Sequence, residues 1–273
     1  MQFSVLGSGS RGNSVLVSAG EVHVLVDAGF SGRELTNRLA LVGVEPAAIS
    51  AIVLTHEHGD HTRGAGVFAR AHGTPLLMTE GTRLACRKLF RGNEAIQSYR
   101  AGYPVDIERL RIDPFITVHD AADPVAVAVT DSGTGLRLGI ATDLGKPTVQ
   151  IRHALRGCDA LIVESNHDEG MLWSAGYPPA VKARIASSHG HLSNRAAADF
   201  LAETFHPHLS VVVLAHLSEE SNTPRLARAA AARVLAQRGF RGLVEVALPD
   251  RPTSVFDLAK LREQAGPPQL SLF

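Results

Sequence analysis

Residues 56–61 read His-Glu-His-Gly-Asp-His. Three imidazoles and a carboxylate, Asp60, within six residues are a dense supply of nitrogen and oxygen ligands, suited to zinc, manganese or iron. On a loop, His56 and His58 can point to one side while Asp60 and His61 serve a second position. Crowded histidines are costly unless a metal neutralises them, because they otherwise sit partly desolvated with poor partners. A solvated polar loop is the bland alternative. The string follows the apolar run Ala51-Ile-Val-Leu-Thr55, where such a loop has no need of this density of ligands.

Other candidate ligands share one placement. His119 follows Ile-Thr-Val, Asp143 follows Gly-Ile-Ala-Thr, His216 follows Val-Val-Val-Leu-Ala, and Asp27 follows Val-Leu-Val. Residues delivered at the C-terminal ends of buried strands emerge together along one edge of a packed sheet, held by rigid elements. Six further histidines (His23, His72, His153, His167, His206, His208) lack this placement and read as ordinary.

Short apolar runs alternate with glycine-rich turns and helical patterns. Strands are expected at 3–6, 14–17, 22–26, 51–54, 76–78, 112–118, 125–130, 136–141, 160–163, 211–214 and 243–247. Ser31 with Glu34 forms a capping-box pattern, flanked by Phe30 and Leu35 as a staple. Further helices are expected at 63–72, from Thr79, at 148–156, 194–205, from Thr223-Pro224 to near Gly239, and at 254–264. Interleaving in both halves, without a long linker or repeat, predicts one α/β domain over residues 1–264. Gly266-Pro267-Pro268 then sets off residues 265–273 as a flexible tail.

The chain has 273 residues, 45% of them hydrophobic, and a mean hydropathy of +0.05, enough for a substantial core. Its 27 basic and 27 acidic residues cancel, so no global field draws it to a polyanion. Two cysteines, Cys86 and Cys158, are too few for a disulfide framework or a thiolate zinc site. No signal peptide and no apolar run of the ~20 residues that span a bilayer are visible, which points to a soluble cytoplasmic protein without a membrane partner.

The pattern resembles the metallo-β-lactamase superfamily over roughly residues 1–260. The resemblance implies a four-layer αββα sandwich with two divalent cations along one edge, zinc or manganese, with iron a third option. It implies that His56, His58 and His119 hold one metal, that Asp60, His61 and His216 hold the other, and that Asp143 bridges them. Asp27 is similar to an aspartate that orients a ligand histidine rather than binding metal. Two cations about 4 Å apart suit hydrolysis of a phosphodiester, and by resemblance Asp60 accepts a proton from the attacking water.

Residues 160–168 read Ala-Leu-Ile-Val-Glu-Ser-Asn-His-Asp and residues 190–194 read Gly-His-Leu-Ser-Asn. This pairing resembles phosphodiesterase branches such as RNase Z, which makes Glu164 the orienting carboxylate of His191 and His191 the group that contacts the phosphate and protonates the leaving oxygen. Ser193 and Asn194 are candidates for phosphate contact, with helix capping as the alternative. Together with His216-Leu-Ser-Glu-Glu-Ser-Asn222, these strings resemble most the YycJ (WalJ) branch, which implies a DNA exonuclease of 5′-to-3′ polarity acting in replication or repair. The 72 residues between Asp143 and His216 leave no room for a β-CASP insertion. Residues 83–111 carry seven basic side chains against three acidic ones, and residues 223–243 carry five arginines and no acid; either could track a phosphate backbone, the first being preferred for following the metal loop.

The last five residues, Gln269-Leu270-Ser271-Leu272-Phe273, resemble the peptide that binds the bacterial sliding clamp. That implies tethering of the enzyme at replicating DNA; packing on its own domain is the alternative. Two other functions are open to these residues: a hydrolase of RNA or a small ester or phosphodiester on the same site, and a non-catalytic clamp-associated or signalling factor. A structural metal site saturates its coordination with one ion, so the full ligand set argues against the last.

Overall fold

The structure, a computed structural model, describes residues 1–266; the clamp-like peptide 269–273 lies outside the described residues. Six strands come first: β1 (Gln2–Gly7), β2 (Ser14–Ala19), β3 (Val22–Val26), β4 (Ile49–Val53), β5 (Leu76–Thr79) and β6 (Ile96–Tyr99). Seven more build the second sheet: β7 (Val105–Ile107), β8 (Leu110–Ile116), β9 (Val125–Asp131), β10 (Arg137–Ala141), β11 (Ala160–Glu164), β12 (Val211–Ala215) and β13 (Leu243–Val246). A last strand, β14 (Phe256–Asp257), returns to the first sheet beside β1. The sheets run β14-β1-β2-β3-β4-β5-β6 and β13-β12-β11-β10-β9-β8-β7.

The inner faces of both sheets meet in one apolar core, with Val17, Val24, Val127, Val129, Ile162 and Val213 fully buried. Each such side chain contributes about 1.5–3 kcal/mol relative to exposure. Helices α1 (Gly32–Leu41) and α3 (Ala65–His72) cover the outer face of the first sheet, α3 following the one-turn α2 (Gly59–Thr62). After α4 (Glu80–Ala85), helices α5 (Val149–Leu155), α8 (Asn194–Thr204) and α9 (Pro224–Gln237) cover the second sheet. Between α5 and α8 run the short α6 (Glu169–Ser174) and α7 (Pro179–Ile185), and α10 (Leu258–Ala265) closes the described chain. Strand β9 shows how sequence sets the layers. Its valines face the inter-sheet core, while Ala126 and Ala128 face the helices and let them approach closely. The four-layer αββα sandwich is therefore the fold.

Strand polarity places the chemistry. Strands β3 and β4 are parallel, as are β10, β11 and β12. Strands β8 and β10 each run antiparallel to β9, so β8 points the same way as β10. The C-terminal ends of these strands, followed by Asp27, His56, His119, Asp143 and His216, thus open on one edge.

Several expectations need correction. The second half of the 56–61 string is a helical turn rather than a loop, with His58 at its N-cap. The capping box at Ser31 is half formed: Ser31 Oγ accepts from Glu34 N at 3.2 Å, but the Glu34 carboxylate turns to Arg38 Nε at 2.7 Å. The last helix starts at Leu258, not 254, because Phe256 and Asp257 pair with β1. The 83–111 cations do not form one track. Arg83 pairs with Glu80, and Arg109 binds Asp131 at the far end of the sheet, since β8 runs toward the site from there. Strands β6 and β7 and helices α6 and α7 were not anticipated.

Candidate active site

Four histidines have a ring nitrogen whose role is set by its partner, in three of them a group that can only accept. His61 donates Nδ1–H to Asp27 Oδ2 at 2.7 Å, His119 donates to Gly190 O at 3.2 Å, and His216 donates to Glu164 Oε1 at 3.0 Å. Thr55 Oγ1 donates to Asp27, so at 3.0 Å it accepts from His56 Nδ1. In its neutral tautomer each ring then has an unprotonated Nε2. Against the effect of burial, the surrounding carboxylates raise the pKa of His61 and push that of His216 up to about 10, so that a cation competes with a proton for these two nitrogens. Asp27, which also accepts from Thr55 N at 2.8 Å, thereby fixes one ring directly and another through Thr55.

The ligand atoms of His56, His58 and His119 lie within 4.8 Å of one another, and so do those of Asp60, His61 and His216; Asp143 joins a third such group with His56 and His61. His61 Nε2 stands 2.9 Å from Asp143 Oδ2. Asp143 Oδ2 and His56 Nε2 are buried with no hydrogen-bond partner. Two lone-pair donors facing each other across a buried gap are unfavourable alone and satisfied by a cation between them. The donor set therefore fits metal ions, and these clusters could bind them. Burial pushes the pKa of His56 well below the ordinary imidazole value and lowers that of His119, which suits neutral ligands.

Glu164 is fully buried at the end of β11 and receives four donors. Oε1 accepts from His191 Nδ1 at 2.7 Å and from His216 Nδ1, while Oε2 accepts from Leu144 N at 3.1 Å and Leu192 N at 2.9 Å. Burial opposes its charge, yet His191 and these hydrogen bonds hold its pKa at about 2. The same carboxylate raises the pKa of His191 against the effect of burial. His191 arrives on the segment after α7, which lies against the strand ends only because two glycines admit it. A Cβ on Gly145 would stand 2.3 Å from Ser188 O, and one on Gly190 would stand 2.2 Å from Arg184 O.

A cavity of about 300 Å³ opens on this edge, lined among others by His58, Asp60, His119, Asp143, His191 and His216. Ser193 caps α8, accepting from Ala196 N at 3.2 Å, and donates to Glu169 at 3.0 Å. Asn194 is committed to a buried network with Ser165 and Asn222 and does not line the cavity. Its side chain is used for packing the 165 and 222 turns together.

Two contributions were missed in the sequence. The 8–13 turn leaves β1 at the same edge, and Ser8 Oγ accepts from His216 N at 2.8 Å while donating to Asn13 Oδ1 at 2.7 Å. Asn13 Nδ2 lies 3.2 Å from Asp60 Oδ2 and 3.1 Å from His61 Nε2. Further, Asp27, Asp143 and His216 all adopt positive φ, 65°, 55° and 55°, with Glu108 the only other non-glycine to do so among the described residues. Such backbones are costly for most L-residues and concentrate where function over-determines them.

Fold and site agree with the comparisons. Residues 7–143 match the family model described as the metallo-beta-lactamase superfamily, and the chain belongs to that superfamily. It is a metal-dependent hydrolase. It is 34% identical over 242 residues to the exodeoxyribonuclease YycJ of Bacillus anthracis, covering 88% of this chain and 91% of that protein. It is 33% identical over 240 residues to the exodeoxyribonuclease WalJ of Streptococcus pneumoniae, covering 86% and 88%. The fold is similar to that of the metallo-beta-lactamase fold protein YhfI of Bacillus subtilis, with a TM-score of 0.72 at 19% identity, over 93% of this chain and 99% of that one.

Proposed function

We propose that this protein is a DNA exonuclease of 5′-to-3′ polarity, acting in the cytoplasm in replication or repair. The observation that carries the reading is Glu164, which holds His191 over a cavity flanked by the two histidine clusters, in a chain similar along most of its length to two exodeoxyribonucleases.

His56, His58 and His119 would hold one divalent cation and Asp60, His61 and His216 the other, with Asp143 between them. Zinc or manganese in these positions would supply an activated water and a positive clamp on the phosphate. The remaining work belongs to the side chains. Asp27 and Glu164 keep the rings of His61 and His216 in one orientation. Asp60, facing the cavity, takes a proton from the attacking water. His191 gives its Nδ1–H to Glu164 and so presents Nε2 toward the substrate, where it protonates the departing oxygen. Ser193 serves α8 first. The domain of residues 1–264 carries the chemistry, and the tail 265–273 carries Gln269-Leu270-Ser271-Leu272-Phe273 as a sliding-clamp ligand that raises the local concentration of enzyme on DNA.

The test is degradation of 5′- and 3′-labelled single- and double-stranded DNA, with RNA strands alongside, in manganese or zinc. Mononucleotides released from the 5′ end by the wild type, and none by His58→Ala, support the reading. Equal activity in both proteins, or activity on RNA alone, overturns it.

A further inference from the structure

His191 has two sides. One faces the cavity just described; the other lines a second cavity of about 270 Å³, whose wall includes Gly145, His167, Trp173, Ser193 and Arg195. Trp173 is the only tryptophan of the chain and is 58% exposed. An indole of that size left in water on α6 is unusual without a partner. Lys182 Nζ from α7 donates to the main-chain Trp173 O at 2.7 Å, tying the backbones of the two short helices together beneath the indole. Arg195 forms the opposite rim, fixed by Glu169, with Nη2 to Oε1 at 2.8 Å. His167 at the wall is 2% exposed, and its Nδ1 has no hydrogen-bond partner.

An exposed aromatic face, a guanidinium already neutralised by a carboxylate, and an unpartnered imidazole nitrogen suit a flat heterocycle better than a phosphate. Stacking on an aromatic side chain accepts every base and adds a factor of about 5 to 150 in affinity per base. We infer that this cavity is a nucleobase subsite, in which the base of the nucleotide adjoining the scissile phosphate stacks on Trp173. The inference rests on the nuclease reading above. It makes Trp173 a binding residue: it grips a neighbouring unit of the strand, and His191 stands at the boundary between that unit and the reacting one.

A single tryptophan makes the test direct. Metal-loaded wild-type protein is titrated with a short phosphorothioate oligothymidylate, reading tryptophan emission and, in parallel, anisotropy of a labelled copy of the strand. Emission is expected to change over the same concentration range as the anisotropy. Trp173→Ala should raise KM for short single strands about 10-fold with kcat kept within about 2-fold, and Trp173→Phe should restore most of the KM. Thermal melting of both variants should match the wild type, since the side chain is exposed. Unchanged emission at strand concentrations that saturate the anisotropy overturns the subsite, as does an unchanged KM in Trp173→Ala. A wild-type protein that neither binds nor cleaves any strand fails earlier, in the anisotropy and nuclease assays, and overturns both readings.

Discussion

Asp27 Oδ2 lies 2.7 Å from His61 Nδ1, and both side chains are sealed from solvent. Removing the carboxylate leaves a buried ring nitrogen with a weaker acceptor and frees Thr55 as well. Asp27→Asn conserves volume and tolerates the positive φ, so the fold should persist. Metal affinity is expected to fall about 10- to 100-fold, read by competition with a chromogenic chelator.

Glu164→Gln replaces one acceptor oxygen with a donor among four donors. At least one buried N–H then loses its partner, at a cost of about 1–3 kcal/mol. Nuclease kcat is expected to drop about 100-fold, and urea unfolding should show the stability loss. Normal kcat in a folded Glu164→Gln protein would remove His191 and His216 from the proposed mechanism.

Metal should stabilise the folded chain, because the unfolded chain lacks the assembled donors. The apparent Tm is expected to rise with zinc or manganese concentration and to fall when a chelator is added. A His56→Ala variant should lose most of that response, since it removes the unpartnered Nε2.

Stability in acid should depend on Asp131, which is 1% exposed and accepts from Arg109 Nε at 2.7 Å and Nη2 at 3.0 Å, Thr134 Oγ1 and Gly133 N. Burial opposes the charge, but these partners hold the pKa at about 2, below the usual 3.8. The stabilisation is complete above the unfolded-state pKa and is lost as pH falls through the folded one. Asp131→Asn should therefore cost about 2 kcal/mol at neutral pH, and the gap to wild type should close between about pH 4 and pH 2 in denaturant titrations.

Deleting residues 269–273 is expected to abolish co-elution with a sliding clamp while leaving activity on short DNA unchanged. A truncated protein that no longer folds would show instead that the peptide belongs to the core.

Much of this arrangement was readable in the chain because its signals are local. His56, His58, Asp60 and His61 are nearly contiguous, and His119, Asp143 and His216 each end a β-branched run whose burial is evident from composition. Ser8 and Asn13 were not legible: Ser8 acts by accepting one backbone N–H 208 residues away, which no spacing announces. Helices α6 and α7 were missed because each is a turn or two long with few buried residues and so shows no apolar period. The first basic patch misled because charge counted along the chain ignores strand direction, which carries Arg109 to the opposite end.

The left-handed backbones at Asp27, Asp143 and His216 also narrow the chemistry open to this scaffold. Asparagine, aspartate and histidine enter that region several-fold more readily than other side chains, while a longer carboxylate or a β-branched residue would add strain of about 1–2 kcal/mol at each position. The main chain thus acts as a filter on the alphabet of donors. Exchanging Asp143 or His216 for a donor suited to thiolate-loving ions would mean rebuilding the bend beneath it first.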